Sequence, residues 1–215
     1  MDSTAPQRAE RAALCDLLLE LGPGAPTLCE GWRTLDLAVH LVIRERDPIA
    51  APGILLGGPF AGLLRSHSER AARRPFADLV RTVRSGPPPW LAPLDPVVNL
   101  AEMFVHHEDV RRGGGDTTPR APAATAGLDD ALWRLLSRSA RLLARRLGPV
   151  GLDLQRPDGR TVAARPARDG SPAATLTGEP GELVLYLMGR TAAAHVALDG
   201  PEAAVRAVRD ASFGI

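Results

Sequence analysis

NLAEMFVHHEDVRRGGG, residues 99–115, is the stretch on which the reading of this chain turns. Leu100, Met103, Phe104 and Val105 surround a Glu-x3-His pair, Glu102 and His106, whose spacing puts both side chains on one face of a helix. At about 100° per residue, Asp109 falls in the same narrow arc, whereas His107 and Glu108 point elsewhere. Gly113, Gly114 and Gly115 end the helix, and a start near Pro96 suits a first-turn proline. Burying an unpaired carboxylate costs several kcal/mol. The cluster therefore calls for a partner, either a divalent cation or an arginine such as Arg44 or Arg46. The plain alternative is a solvated helix face with His106 at its edge.

The segment GWRTLDLAVHL, residues 31–41, supplies a further ligand. Thr34 reads as an N-cap, with Asp36 in the first turn where the helix dipole favours a carboxylate. Leu35, Ala38, Val39, Val42 and Ile43 form the apolar stripe, His40 lies beside it, and Pro48 stops the helix. His40, Glu102 and His106 together make a set of two imidazoles and one carboxylate. That set leaves one coordination position open, as a catalytic rather than a structural zinc site does. Asp109 is read as orienting a ligating histidine, with a fourth ligand as the alternative. Asp36 has the same choice, and helix capping is its simpler role. His67 and His195 show no comparable grouping.

At 215 residues the chain is long enough for one large domain or two small ones. Hydrophobic residues at 45% and charged residues at 24% allow an ordinary core, and 4% aromatics make it one of Leu, Ala and Val. A net charge of +1 gives no field to draw nucleic acid or anionic membrane. The sequence has arginine but no lysine, which excludes a Walker A loop, a Schiff-base enzyme and a lysine base. The Arg, Ala, Gly and Pro bias fits a GC-rich bacterial genome. With no charged-then-apolar leader and no membrane-length apolar run, a cytoplasmic protein is expected. Cys15 and Cys29 are too few for a disulfide scaffold and are expected to be half-buried thiols. Cys29, just before the His40 helix, is the one of the two that could lie near a site. Trp32 and Trp90 read as packing anchors.

Helices are expected over Arg8–Leu21, from Thr34 to near Pro48, over Phe60–Arg74 with Pro75 breaking it before Phe76–Arg84, and from Pro96 to Arg112. These make a four-helix bundle over residues 1–115. After Pro119 the pattern changes. A long helix over Leu128–Leu147 precedes strand-like stretches at Val150–Leu154, Thr161–Ala164, Ala173–Thr177 and Ala193–Leu198, with a helix at Glu182–Met188. Residues 120–215 therefore read as a small α+β domain, and the whole chain as α+β.

LCEGWRTLDLAVHL, residues 28–41, resembles the second-helix signature of the mycothiol-dependent maleylpyruvate isomerase family, within the DinB-like helical bundles. EMFVHHEDV, residues 102–110, is similar to the Glu-x3-His-x2-Asp segment on that family's last bundle helix. Arg44–Ile54 and Asn99–Arg112 look closer still to an uncharacterised actinobacterial, metal-binding branch. LTGEPGELVLYLMGR, residues 176–190, resembles the family's C-terminal domain, which is related to sterol-carrier folds. The resemblance implies one zinc ion held by His40, Glu102 and His106. It also implies a low-molecular-weight thiol, mycothiol, that zinc activates to attack an electrophile, giving thiol transfer or cis-trans isomerisation.

If water takes the open position instead, the same ion supports hydrolysis, with Glu108 or Asp109 as the base. A third reading is a non-catalytic ligand-binding module in which the metal only staples the bundle. Arg190 is a candidate for binding an anionic group of substrate or thiol. A small-molecule thiol and an electrophile are the expected partners, with no nucleic acid and no membrane; oligomeric state is left open.

Overall fold

Leucine, alanine and valine at helical spacing build the first part of the chain, and arginine–carboxylate pairs tie its helices together. The computed structural model describes residues 4–51, 53–54, 58–88 and 98–214. The chain divides between Asp116 and Thr117 into two compact units. In the first, α1 spans Thr4–Leu21, α2 Thr34–Arg46, α3 Ala61–Ala72, α4 Phe76–Arg84 and α5 Val98–Arg112, with a 3-10 turn at Gly58–Phe60. Pro96 and Trp90 lie outside the described residues.

Helix α1 packs along α5 and against α4, while α2 packs against α4 and α3. Leu14, Leu18, Leu37, Leu41, Leu79 and Met103 are buried in the core they share. Pro75 is the reason that α3 and α4 are separate helices. It sits in an extended conformation (φ −54°, ψ 134°) as the N-cap of α4, since the residue has no N–H to continue a ladder. Helix α2 is capped one residue earlier than the sequence suggests. Arg33 is the N-cap and donates its N–H to the Asp36 carboxylate at 2.8 Å, while the Thr34 hydroxyl donates to the Gly22 carbonyl.

A buried ion pair fastens three of these helices. Arg11 on α1 donates Nη1 to Glu45 Oε2 (2.7 Å) and Nη2 to Glu45 Oε1 (2.5 Å) on α2, and Nη1 also reaches the Val83 carbonyl of α4 (2.8 Å). Both residues are almost wholly removed from solvent. A bidentate guanidinium–carboxylate fork satisfies most of the hydrogen-bonding capacity that burial strips of water.

The second unit joins α6 (Pro122–Leu143) to a four-stranded sheet of β1 (Gly151–Gln155), β2 (Thr161–Arg165), β3 (Ala173–Thr177) and β4 (Ala197–Asp199). Helix α7 (Pro180–Leu187) lies between β3 and β4 in sequence, and α8 (Glu202–Asp210) follows β4. The sheet order is β2-β1-β3-β4, with β1 antiparallel to β2, parallel to β3, and β3 antiparallel to β4. The parallel pair closes tightly: a Cβ on Gly151 would lie 2.7 Å from that of Ala173. Helix α6 packs on β2 and α7, and Leu132, Leu136, Leu152, Leu154 and Leu176 fill the interior. The α+β class expected from the sequence is therefore present.

Several boundaries differ from the sequence reading. Helix α6 starts at Pro122, six residues before Leu128, because Pro122 occupies a favoured first-turn position. The expected strand Ala193–Leu198 is reduced to β4, since residues 191–193 form a turn instead. Helix α8 was not expected, although Ala204 and Val208, one turn apart, are the residues it buries.

Replacing Glu45 by Ala leaves Arg11 buried without a countercharge, so we expect a loss of about 3–5 kcal/mol of stability, read from the urea midpoint.

Candidate metal centre

One carboxylate oxygen gathers the candidate ligands. Glu102 Oε1 on α5 lies 3.3 Å from His40 Nε2 on α2 and 3.1 Å from His106 Nε2, one turn further along α5. The same oxygen is 3.1 Å from Arg44 Nε, one turn after His40, and Arg44 also donates to the Asn99 side chain. Thus α2 and α5 meet across this seam through His40 and Arg44 on one side and Glu102 and Asn99 on the other. The 40-to-102 juxtaposition on which the sequence reading depends is present.

His106 is held at both ends. Its Nδ1 lies 2.9 Å from Asp109 Oδ2, and Asp109 is fully buried. Asp109 Oδ2 also accepts from Cys29 Sγ at 3.3 Å. The turn carrying Cys29 is docked on the end of α5: the Leu28 N–H donates to the Asp109 carbonyl at 3.0 Å. Gly113 makes that approach possible, because a Cβ there would stand 2.2 Å from the Pro26 carbonyl oxygen.

Burial lowers His40 below the usual histidine range, against its hydrogen bond to Glu102, so the ring is neutral at neutral pH. Burial alone would raise the Glu102 carboxyl, but hydrogen bonds to His106 and His40 outweigh it and hold the group well below the usual carboxylate range. Burial would lower His106, yet its contacts with Asp109, Cys29 and Glu102 prevail and hold it well above. The resulting cluster balances two carboxylates against an imidazolium and the Arg44 guanidinium.

The donor set fits a divalent ion. Tetrahedral zinc with ligand bonds of 2.0–2.1 Å separates neighbouring donor atoms by about 3.3 Å, close to the 3.3 and 3.1 Å found here. The donor atoms of His40, Glu102 and His106 all lie within 4.8 Å of one another. A carboxylate on the far nitrogen of His106 is the usual means of fixing the tautomer and aim of a ligating ring. The three side chains keep 14, 15 and 9% of their surface exposed, so the group is not sealed from solvent.

The remaining expectations divide. Asp36 is exposed and serves the α2 cap. Glu108 is fully buried and shared between Arg111 (Nη2 to Oε2, 2.7 Å) and Arg112 (Nε to Oε2, 2.5 Å). Two guanidiniums already match its charge, so it anchors the end of α5 and is poorly suited to be the base. Arg190, in the second unit, donates Nη1 to the Met188 carbonyl at 2.7 Å. Trp32 is 36% exposed, and its ring is tilted against His40, with centroids 5.2 Å apart. Asn99, to which the sequence reading gave no role of its own, accepts from Arg44. Cys15 is completely buried rather than half-buried, and Cys29 is partly exposed.

No family model matches the sequence, and no curated protein matches it. Among solved structures the chain is similar to the mycothiol-dependent maleylpyruvate isomerase, with a TM-score of 0.60 and 14% identity over 92% of this chain and 91% of that one. It is equally similar to a histidine-to-alanine mutant of that isomerase, with a TM-score of 0.61 and 13% identity over the same shares. The chain has that fold. The resemblance read from residues 28–41, 102–110 and 176–190 is to the same family. No described helix is long and apolar enough to cross a membrane.

Burial pushes the Cys15 thiol up to about 11, leaving almost no thiolate at about pH 8. A maleimide at that pH should modify Cys29 and spare Cys15 until the protein unfolds, as peptide mapping would read. Gly113→Ala forces the turn at residues 26–32 away from α5. We expect it to cost about 1–3 kcal/mol and to raise the labelling rate of Cys29.

Proposed function

We propose that the chain is a zinc-dependent enzyme that uses a low-molecular-weight thiol, mycothiol, as co-substrate for thiol transfer or isomerisation. In this reading His40, Glu102 and His106 are the metal ligands. Counting α3 and α4, divided at Pro75, as one member, the first unit is a DinB-like four-helix bundle over residues 1–115, and residues 120–215 are a sterol-carrier-like α+β domain. The observation that carries the reading is the convergence of His40 Nε2 and His106 Nε2 on one oxygen of Glu102. The fold shared with the isomerase structures supports the choice of thiol chemistry.

With His106 giving up its extra proton on ligation, two neutral imidazoles and one carboxylate would contribute a single negative charge, so a divalent ion among them would retain net positive charge toward an anion. When bound, zinc would supply the Lewis-acid field in which a thiol ionises near neutral pH, with no enzyme cysteine needed as nucleophile. The chain's own part is positional. Asp109 aims His106 through Nδ1, and the Cys29 turn holds Asp109. Arg44 and Asn99 keep Glu102 turned toward α2. Trp32 rests its ring against His40. With three protein donors, the set leaves a position for a reactant, which favours catalysis over stapling.

Carefully purified protein should carry about one zinc per chain, lost in His40→Ala and His106→Ala. Asp109→Asn should weaken zinc binding by about 10–100-fold, read by competition with a chromogenic chelator. Turnover of electrophiles should require added mycothiol. Thiol-independent cleavage of activated esters would instead favour a hydrolase, and bound zinc without turnover in either assay a binding module. If the protein holds no metal, and zinc does not raise its thermal midpoint, the reading fails.

A further inference from the structure

The donor set just described uses one nitrogen of His106 and leaves Cys29 and Asp109 to the other. We propose that Cys29, His106 and Asp109 form a second metal site, back to back with the first, which takes a soft, thiophilic divalent cation such as cadmium. This goes beyond the zinc reading and shares only His106 with it.

The donor atoms of these three residues lie within 4.8 Å of one another. Asp109 Oδ2 is 3.3 Å from Cys29 Sγ and 2.9 Å from His106 Nδ1. Around a tetrahedral ion with bonds of 2.3 Å to sulfur and 2.0–2.1 Å to nitrogen or oxygen, such donors stand about 3.3–3.6 Å apart. The two separations to Asp109 Oδ2 fall short of that zinc spacing by a few tenths of an ångström, and a larger soft ion needs them somewhat wider. The sulfur is placed by backbone, through the Leu28 N–H on the Asp109 carbonyl and the contact of Gly113 with Pro26.

Chemistry sets the class of ion. A thiolate, an imidazole and a carboxylate select soft or borderline cations over calcium or magnesium. A deprotonated Cys29 and Asp109 bring two negative charges, enough to neutralise a divalent ion in a buried place. Asp109 is fully buried, His106 nearly so, and Cys29 partly exposed, which gives the ion a way in. On binding, the Cys29 thiol proton and the His106 Nδ1 proton pass to solvent, and S–metal and N–metal bonds replace their hydrogen bonds to Asp109 Oδ2. Because one imidazole serves both donor sets, a thiophilic ion at Cys29 competes with zinc for His106.

The test is a cadmium titration of the metal-free full chain, followed by the ultraviolet thiolate-to-cadmium charge-transfer band. The band should appear in the wild type, persist in Cys15→Ser and Glu102→Gln, and vanish in Cys29→Ser and Cys29→Ala with the helical circular-dichroism signal unchanged. Saturating cadmium should also slow alkylation of Cys29 in the wild type by about tenfold or more, a readout that needs no variant. No band and no protection, or a band that survives in Cys29→Ser, overturns the proposal. Zinc binding lost in Glu102→Gln without any cadmium band leaves the first donor set standing and removes the second. A cadmium band in a chain that never binds zinc does the reverse.

Discussion

A single oxygen of Glu102 is the point on which the first unit's polar interior depends. Three cationic or potentially cationic groups from two helices, His40, Arg44 and His106, are aimed at it. Without that carboxylate, only Asp109 would remain to offset an arginine and two histidines on the seam between α2 and α5. The low dielectric between packed helices makes such an arrangement costly, and the same low dielectric strengthens it once the charges match. The 3.1 and 3.3 Å between those imidazole nitrogens and the carboxylate oxygen also match the donor spacing around a small divalent ion.

Helix α5 carries polar groups on more than one face, and each finds a different partner. Glu102, His106 and Asp109 look to α2 and to the Cys29 turn. His107 Nδ1 meets Glu10 of α1 at 2.9 Å, and Glu108 folds back on Arg111 and Arg112. A helix of this kind is stable inside a protein only when its buried polar groups are satisfied in three dimensions. The bidentate Arg11–Glu45 pair shows the same economy between α1 and α2. The unit therefore relies on matched charge as well as on its leucine-rich core, and loss of one partner should be felt more than loss of the pair.

The helices of the first unit were legible because apolar spacing and proline or glycine stops agree there, as at Pro75 and at Gly113–Gly115. The second unit was read less sharply. Its strands are five residues or fewer, and alternation over such lengths scarcely differs from loop sequence, which is why the stretch at 193–198 yielded only the three-residue β4. Helix α8 was missed because it presents only Ala204 and Val208 to the interior. At the candidate site, the Glu102–His106 spacing and the arc through Asp109 follow from helical period alone. The placing of Asn99 and Trp32 does not, because both depend on which neighbour stands opposite.

Local sequence by itself determined the α+β class, the face shared by Glu102, His106 and Asp109, and the helix that carries His40, since all of these rest on interactions within a turn or two of chain. Only the tertiary structure decided that His40 and Arg44 stand over Glu102 and that Cys29 reaches Asp109. Those are contacts between residues tens of positions apart. Their geometry comes from how helices and a docked turn pack, and no local spacing encodes it.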